Sequence, residues 1–169
     1  MSPFVNALSI SILATFLSSV SAGTIRFYPN AGCTGTIFQC GEINAGVCCS
    51  TSNVYATVKL LDTWDCTINA WSNYGCSGAQ SGSAAVNECL SPSFAILSAK
   101  YFTIDHDNDR RDLNSTSSED CVKPDSIVYL DDNNVEHTIR IPEGRSAVYE
   151  ALAIEGDIAT LKELQRRST

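Results

Sequence analysis

One feature constrains the fold of this chain more than any other: a twelve-residue segment occurs twice. Residues 24–35 read TIRFYPNAGCTG, and residues 67–78 read TINAWSNYGCSG. Six aligned positions are identical, and an aromatic residue of the first copy, Tyr28, aligns with one of the second, Trp71. A repeat at a fixed offset is typical of a supersecondary unit that is used twice. The pattern therefore predicts two equivalent units in one small domain.

Residues 1–22 have the pattern of a secretory signal peptide. Residues 7–17 are an apolar run of the length of a signal-peptide core, although no Lys or Arg precedes it. The small residues Ser21 and Ala22 suit a cleavage site, so we expect a secreted, extracellular chain that begins at Gly23. No later segment approaches the roughly 20 apolar residues of a membrane helix, so we expect no membrane span.

Eight cysteines suit an oxidising compartment, where they form disulfides. The disulfide candidates are Cys33, Cys40, Cys48, Cys49, Cys66, Cys76, Cys89 and Cys121. Their connectivity stays open, because eight cysteines allow roughly a hundred pairings. Seven lie before residue 90, so internal pairing leaves one over, and we predict a bond from Cys121 back to this part. Zinc is not expected, because the chain has no Cys-x-x-Cys pair and only two histidines.

Charge divides the chain after the signal peptide in two. Residues 23–102 carry a net charge of −1, whereas residues 103–169 carry −7 with fifteen acidic groups. Nucleic acids and anionic membranes require a basic surface, so we expect neither as a partner. The change in composition predicts a domain boundary near residue 103.

Short β-prone runs separated by glycine-rich turns predict an all-β domain over residues 23–104. The predicted strands are residues 24–28, 36–40, 54–61, 66–71, 94–97 and 100–104. Several short strands at this spacing favour a sandwich or a barrel. A domain of this size buries a limited core and is usually stabilised further by disulfides.

Residues 105–125 are polar and predict a flexible linker. They contain Asn114 in the only N-x-S/T sequon, which makes it a glycosylation candidate. They also contain the dibasic pair Arg110-Arg111. Two interpretations of this pair stay open: a site for a processing protease, or two solvated charges.

Residues 126–169 predict a small α+β tail. Alternating segments on both sides of residues 131–134 indicate a β-hairpin. Apolar residues at helical spacing after Ser146 predict a helix that ends at Gly156, and Asp157 suits the N-cap of a second.

In each copy of the repeat, an aromatic residue precedes a glycine by seven positions: Tyr28 with Gly35, and Trp71 with Gly78. This spacing resembles the Greek-key signature of the βγ-crystallin superfamily. The resemblance implies a double Greek-key sandwich in which each aromatic packs over a folded hairpin and each glycine adopts a conformation that a side chain hinders. It covers about half of the mature chain and not the tail. The cysteine density is similar to that of small secreted fungal effectors and killer-toxin-like proteins.

The calcium sites of that superfamily are not expected to work here. Its members often bind Ca²⁺ through an N/D-N/D-x-x-S/T-S stretch, and the nearest segments, residues 52–57 and 89–94, have neither the paired Asn/Asp nor a carboxylate. Asp105, Asp107 and Asp109 resemble the start of an EF-hand loop. However, its required Gly and bidentate Glu are replaced by Arg110 and Thr116. We expect no metal and no cofactor.

Catalytic motifs are absent from the sequence, and we expect no enzyme. Asp62 and Asp65 flank Trp64, which allows two interpretations. They form a sugar subsite with an acid and a base, or they are turn residues with Trp64 packed between the two motifs, which we favour. His106 and His137 have no Ser or Cys nucleophile near them in the sequence.

Two functions remain. The preferred one is a secreted, cysteine-rich, non-enzymatic binding or toxin-like protein, a virulence effector or antimicrobial protein. It would act as a monomer on an unidentified extracellular protein or glycan. The alternative is a structural or cell-wall-associated stress protein of crystallin type with no external target. Only the first predicts a response when purified protein is added to plant tissue or competitor cells.

Overall fold

A computed structural model describes residues 22–104 and 121–168, which form two antiparallel β-sheets and two C-terminal helices. The first range contains β1 (Gly23–Tyr28), β2 (Ile37–Ile43), β3 (Cys49–Tyr55), β4 (Thr57–Leu61), β5 (Cys66–Asn73), β6 (Ser77–Gln80), β7 (Ala84–Ala85), β8 (Cys89–Leu90) and β9 (Ile96–Thr103). The second range contains β10 (Ser126–Leu130), β11 (Glu136–Arg140), α1 (Ser146–Ile154) and α2 (Ile158–Ser168). The predicted mainly β class is confirmed. The predicted signal peptide, except Ala22, lies outside the described residues, as do Arg110, Arg111 and Asn114.

The two sheets exchange strands. The first sheet has the order β11-β10-β2-β1-β4-β8, and the second has the order β3-β9-β5-β6, with β7 paired to β5. The first repeat copy opens the unit β1 to β4, whose third strand lies in the second sheet. The second copy opens the unit β5 to β9, whose strand β8 lies in the first sheet. Each unit therefore completes the sheet of the other, and neither half is a separate layer.

The prediction of one strand over residues 54–61 is wrong. Tyr55 ends β3 in the second sheet, and Thr57 begins β4 in the first, so the chain changes sheets at Ala56. Tyr55 and Val58 are both buried in the core that the two sheets share. A continuous apolar run in the sequence therefore indicates that its residues are buried, but it does not indicate to which sheet they belong. Conversely, the two short strands predicted over residues 94–104 form one strand, β9.

The core lies between the two sheets. In β1, Ile25 and Phe27 are fully buried, and in β5, Ile68 is fully buried on the facing side. The Tyr55 ring lies 5.6 Å from the Phe27 ring and 5.4 Å from the Phe38 ring, centroid to centroid. Tilted aromatic pairs at this distance add stabilisation to the burial of apolar area.

The C-terminal hairpin extends the first sheet, whereas the sequence predicted a tail beyond a linker. β10 pairs with β2 over residues 126–128 and 37–39. Ile127 is fully buried, and Tyr149, Ala153 and Leu161 of the two helices join the same core. Helix α2 packs on β11 and α1 packs on β3, which removes apolar surface of both sheets from water. The boundary near residue 103 therefore marks a change in composition and not the end of the core.

Residues 121–125, which we call the strap, are also structured, although the sequence predicted them as part of a flexible linker. Val122 forms a parallel bridge with Cys49. Asp125 accepts a hydrogen bond from the Gly41 amide at 3.1 Å, and its carbonyl accepts one from the Ile141 amide at 2.7 Å. These bonds join the strap to both sheets and to the end of the hairpin.

Candidate functional site

The two repeat copies adopt the same backbone conformation after their first strand. Gly35 and Gly78 have φ angles of +97° and +82°, and Cys33 and Cys76 have φ angles of +55° and +51°. A Cβ atom at Gly35 would lie 2.8 Å from Pro29 Cγ, so the close approach also requires glycine. Tyr28 and Trp71, the aligned aromatic residues, are buried at 5% and 7% exposure.

Six of the eight cysteines form disulfides: Cys33–Cys89, Cys40–Cys49 and Cys48–Cys76. Cys49 is the first residue of β3, and Cys48 directly precedes it. Because successive side chains along a strand alternate, the two cysteines point to opposite faces of the second sheet. Cys49 bonds to Cys40 inside the core, whereas Cys48 bonds to Cys76 in a separate cluster with Trp71.

The predicted bond from Cys121 to the first domain is not formed, and Cys66 is also a free thiol. Cys66 belongs to the core between the sheets, at 3% exposure. Cys121 packs with Trp71 and Cys48 on the other face of the second sheet. The second sheet lies between the two thiols, so their sulfur atoms cannot approach each other to form a disulfide.

The segments nearest to the superfamily's calcium stretches have other contacts here. In residues 52–57, the Ser52 amide and the Asn53 side chain donate hydrogen bonds to Glu150 Oε2 at 3.2 and 3.0 Å. In residues 89–94, Cys89 is bonded to Cys33. Within residues 22–104 and 121–168, no group of three or more His, Cys, Asp or Glu side chains is arranged to hold a metal ion.

Trp64 is exposed, and the expectation that it packs between the two motifs is wrong. Its exposed fraction is 68%. Asp62 and Asp65 have positive φ angles of 62° and 49°, and the Asp65 carbonyl accepts a hydrogen bond from the Ile104 amide at 2.6 Å. The segment is thus a turn, as we favoured, but it presents its indole to solvent.

An open groove of about 570 Å³ lies between the hairpin and α2, and we call it the hairpin groove. It is lined by Tyr129, His137, Thr138, Ile139, Lys162, Gln165 and Arg166. Tyr129 and His137 face each other across β10 and β11, because they are directly paired in the hairpin register. Lys162 and Arg166 are four positions apart in α2, which places both on one face of the helix.

A stacked aromatic pair and two basic side chains line the hairpin groove. The Tyr129 and His137 rings are stacked with centroids 5.3 Å apart, and Lys162 Nζ lies 4.8 Å from the Tyr129 centroid. None of the seven described residues that line it is acidic. Glu163 and Asp131 lie at its margin, where they pair with Arg166 at 2.9 Å and with His137 at 2.9 Å. The lining of the groove is therefore basic, and the two acids at its margin offset part of this charge.

Asp131 holds the hairpin turn and orients His137. Its Oδ1 accepts hydrogen bonds from the Asn133 and Val135 amides, each at 2.9 Å. The hydrogen bond to His137 lowers the pKa of Asp131, and the bonds from the backbone amides lower it further. Asp131 is thus an anion over a wider pH range than an ordinary aspartate.

The sequence did not identify this groove. It predicted a hairpin around residues 131–134 and assigned no register to the two strands. In the structure, Asp131 faces Val135 around a three-residue turn, with Asn134 at φ +60°. A shift of one residue moves each partner to the other face. The residue that could have indicated this turn is Asn134, because asparagine tolerates the left-handed conformation at the last position of such turns.

Comparison with known proteins identifies one family. The family described as ARB_05566_N, an N-terminal domain, matches residues 24–125. No curated protein and no solved structure matches the chain. The matched range includes the repeat, all eight cysteines and the strap, but it stops before the hairpin groove. Since it covers more than half of the 169 residues, the chain belongs to the ARB_05566_N family through its N-terminal domain.

Proposed function

We propose that this protein is a secreted, disulfide-stabilised binding protein without catalytic activity, and that it engages an acidic extracellular glycan through the hairpin groove. The observation that carries the proposal is the groove itself: a stacked aromatic pair with basic side chains and no acidic lining residue, on a chain of net charge −8. An exposed aromatic ring, here that of His137, packs on sugar rings, and lysine and arginine bind carboxylates and sulfates.

The proposal also assigns residues 23–102 to a double Greek key of βγ-crystallin type. The exchange of β3 and β8 between the sheets supports this assignment. So do the equivalent positions of Gly35 and Gly78 and the burial of Tyr28 and Trp71. In this scheme the Greek keys are the scaffold, and the segment after residue 125 supplies the binding site.

Secretion is part of the proposal because of the cysteines. Three disulfides in a small domain are typical of proteins that fold in an oxidising compartment. The leader pattern of residues 1–22 adds to this. Neither of the two helices in the described ranges is long and apolar enough to cross a membrane.

The groove is proposed to bind rather than to catalyse. His137 Nε2 is engaged with Asp131, Arg166 with Glu163, and Lys162 lies over the Tyr129 ring. These contacts fix positive and aromatic groups in place, which reduces the conformational entropy lost on binding.

Calorimetric titration of residues 23–169 with a polyuronate, a sulfated polysaccharide and a neutral glucan tests the binding site. We expect the acidic polymers to bind, with affinity that falls as salt is added. We expect Lys162→Ala to weaken binding about tenfold, because a charged hydrogen bond contributes about 1.5 kcal/mol. Arg145→Ala is the matched control, since it removes one exposed positive charge outside the groove.

Three results contradict the glycan assignment. One is binding of the neutral glucan as tight as that of the acidic polymers, and another is no binding of any of the three. The third is an equal loss of affinity in Lys162→Ala and Arg145→Ala, which would indicate attraction by overall charge alone.

The proposed role is that of an effector or antimicrobial protein. Purified residues 23–169 would be added to plant tissue and to competitor microbes, with Lys162→Ala as the control. A response that depends on Lys162 supports this role. Binding to cell walls without any response supports the alternative, a structural or wall-associated protein.

A further inference from the structure

Three cysteine side chains meet on the outer face of the second sheet. Cys48 and Cys76 form a disulfide, and they pack with Trp71 in a small cluster outside the main core. The free, partly buried Cys121 packs against the same cluster. A thiol and a disulfide therefore lie side by side in the folded protein.

The backbone places Cys121 beside Cys48. The Val122 amide donates to the Cys48 carbonyl, and the Ser50 amide donates to the Val122 carbonyl, each at 2.9 Å. Val122 is thereby bridged in parallel to Cys49, and Cys121 becomes the cross-strand neighbour of Cys48. Since Cys49 points into the core, Cys48 and Cys121 both point outward. Neighbouring strands lie about 4.8 Å apart, within the range of roughly 4.4–6.8 Å between Cα atoms that a disulfide spans.

We propose that Cys121, Cys48 and Cys76 form a thiol–disulfide exchange site. The Cys121 thiol gives its proton to solvent, and its sulfur attacks Cys48 Sγ. The Cys48–Cys76 bond breaks, and its electron pair leaves on Cys76 Sγ, which takes up a proton. One disulfide and one thiol are present before and after, so the step needs no oxidant or reductant.

Exchange changes how the C-terminal part of the chain is held. The three disulfides of the structure join residues between 33 and 89, so none reaches residues 121–168. A Cys48–Cys121 bond ties the strap, and with it the hairpin and both helices, covalently to the rest. A cut after Arg111 would then release the C-terminal part from one isomer on unfolding, but not from the other.

Disulfide mapping of the Cys76→Ser variant tests the proposal. This change removes the competitor for Cys48, so we expect a Cys48–Cys121 bond. Alkylation of the unfolded, unreduced variant should then label Cys66 alone. Cys66→Ser is the matched control, in which the label should fall on Cys121, or on Cys76 in any exchanged molecules. Labelling of Cys48 and Cys121 together in a folded Cys76→Ser monomer overturns the proposal, as does a dimer linked through Cys48.

A second measurement, on the wild-type chain, tests the proposal even if the Cys76→Ser variant does not fold. The protein is held at pH 8 without added thiol, where cysteines ionise, and is then alkylated in denaturant. We expect label to appear on Cys76 and to fall on Cys121 by the same fraction, with a Cys48–Cys121 peptide in the unreduced digest. Cys121→Ser should show no label on Cys76. Label that stays entirely on Cys66 and Cys121 at equilibrium overturns the proposal.

Discussion

At the residue scale, Glu150 is a buried acid in a helix that faces a strand. Its side chain is fully buried, and Oε2 accepts hydrogen bonds from the Ser52 amide and Asn53 Nδ2. Oε1 and the Tyr55 hydroxyl are both buried without a hydrogen-bond partner among the described residues. Burial raises the pKa of Glu150, and the bonds from Asn53 and Ser52 offset this only in part. Burial also raises the pKa of Tyr55, and the nearby charge of Glu150 adds to the effect.

We expect Glu150 to make the protein less stable as the pH rises. Because its pKa is higher in the folded state than in the unfolded state, the folded state holds the proton more tightly. The contribution to stability is full below the unfolded pKa and is lost as the pH rises through the folded pKa. Glu150→Gln keeps the acceptor and removes the charge. It should therefore reduce the fall in unfolding free energy between pH 4, below the unfolded pKa, and pH 8.

Urea unfolding at the two pH values measures this difference. Glu150→Ala is the control, because it removes the acceptor for Ser52 and Asn53 and should be less stable than wild type at both pH values. Parallel pH dependences of wild type and Glu150→Gln would show that Glu150 does not titrate in this range.

Gly78 is a second position at which the fold requires a particular residue type, here one without a side chain. Its φ is +82°, and a Cβ atom would lie 2.6 Å from Asn73 Nδ2 and 2.7 Å from Ser72 Oγ. We expect Gly78→Ala to lower the unfolding free energy by about 1–3 kcal/mol, through strain and contact together. Gly82→Ala is the matched control, since nothing lies within 4 Å of its Cβ position. Equal thermal stability of the two variants would contradict this explanation of the repeat.

At the element scale, the hairpin and α2 depend on each other. The inner face of β10 and β11 presents Tyr129 and Ile139, and α2 covers it with the fully buried Leu161. Asp157 begins this helix, and its Oδ1 accepts a hydrogen bond from the Thr160 amide at 3.0 Å. The groove exists only where the C-terminal half of α2 passes over the hairpin, so helix packing determines its shape.

We expect Leu161→Ala to cost about 2–5 kcal/mol, because it removes a fully buried side chain and leaves a cavity. The loss should also weaken ligand binding in the groove, since Lys162 is carried by the same turn. Ile154→Ala is the control, because Ile154 is 52% exposed and its truncation should change stability by less than about 0.5 kcal/mol. Similar denaturation midpoints for both variants would show that α2 does not contribute to the core.

At the scale of the whole molecule, one core joins segments with very different composition. The cysteine-rich half supplies strands to both sheets, and the acidic half adds two strands to the first sheet and one helix against each sheet. The disulfides lie entirely within the cysteine-rich half. The two halves are therefore held together by backbone pairing, apolar burial and polar contacts such as the Arg26–Glu136 ion pair, and by a covalent bond only after the exchange proposed above.

This arrangement predicts the behaviour of a cleaved chain. A protease site inserted after Arg111 would be cut, and we expect the two fragments to elute together under native conditions, because β10 remains paired with β2. In denaturant without reductant, the Cys121→Ser fragments should separate completely. Wild-type fragments should separate except for the exchanged fraction. Separation under native conditions would contradict a shared core.

Several features of this protein could be predicted from the sequence because local chemistry decides them. The repeat predicted two equivalent hairpin folds, since Gly35 and Gly78 are the residues that a positive φ and a close approach require. The alternation of Ser126–Leu130 predicted a strand, and Asp157 predicted a helix start, because strand period and capping act over a few residues.

Tertiary structure alone decided the rest. The change of sheet at Ala56 and the pairing of β10 with β2 depend on partners far apart in sequence, which periodicity does not report. The two free thiols also depend on the tertiary structure. Cys66 and Cys121 lie on opposite faces of the second sheet and cannot form a disulfide, which the number of cysteines does not reveal. The hairpin groove arises where a strand pair and a helix meet, so its chemistry follows from a register and a packing angle that no single segment contains.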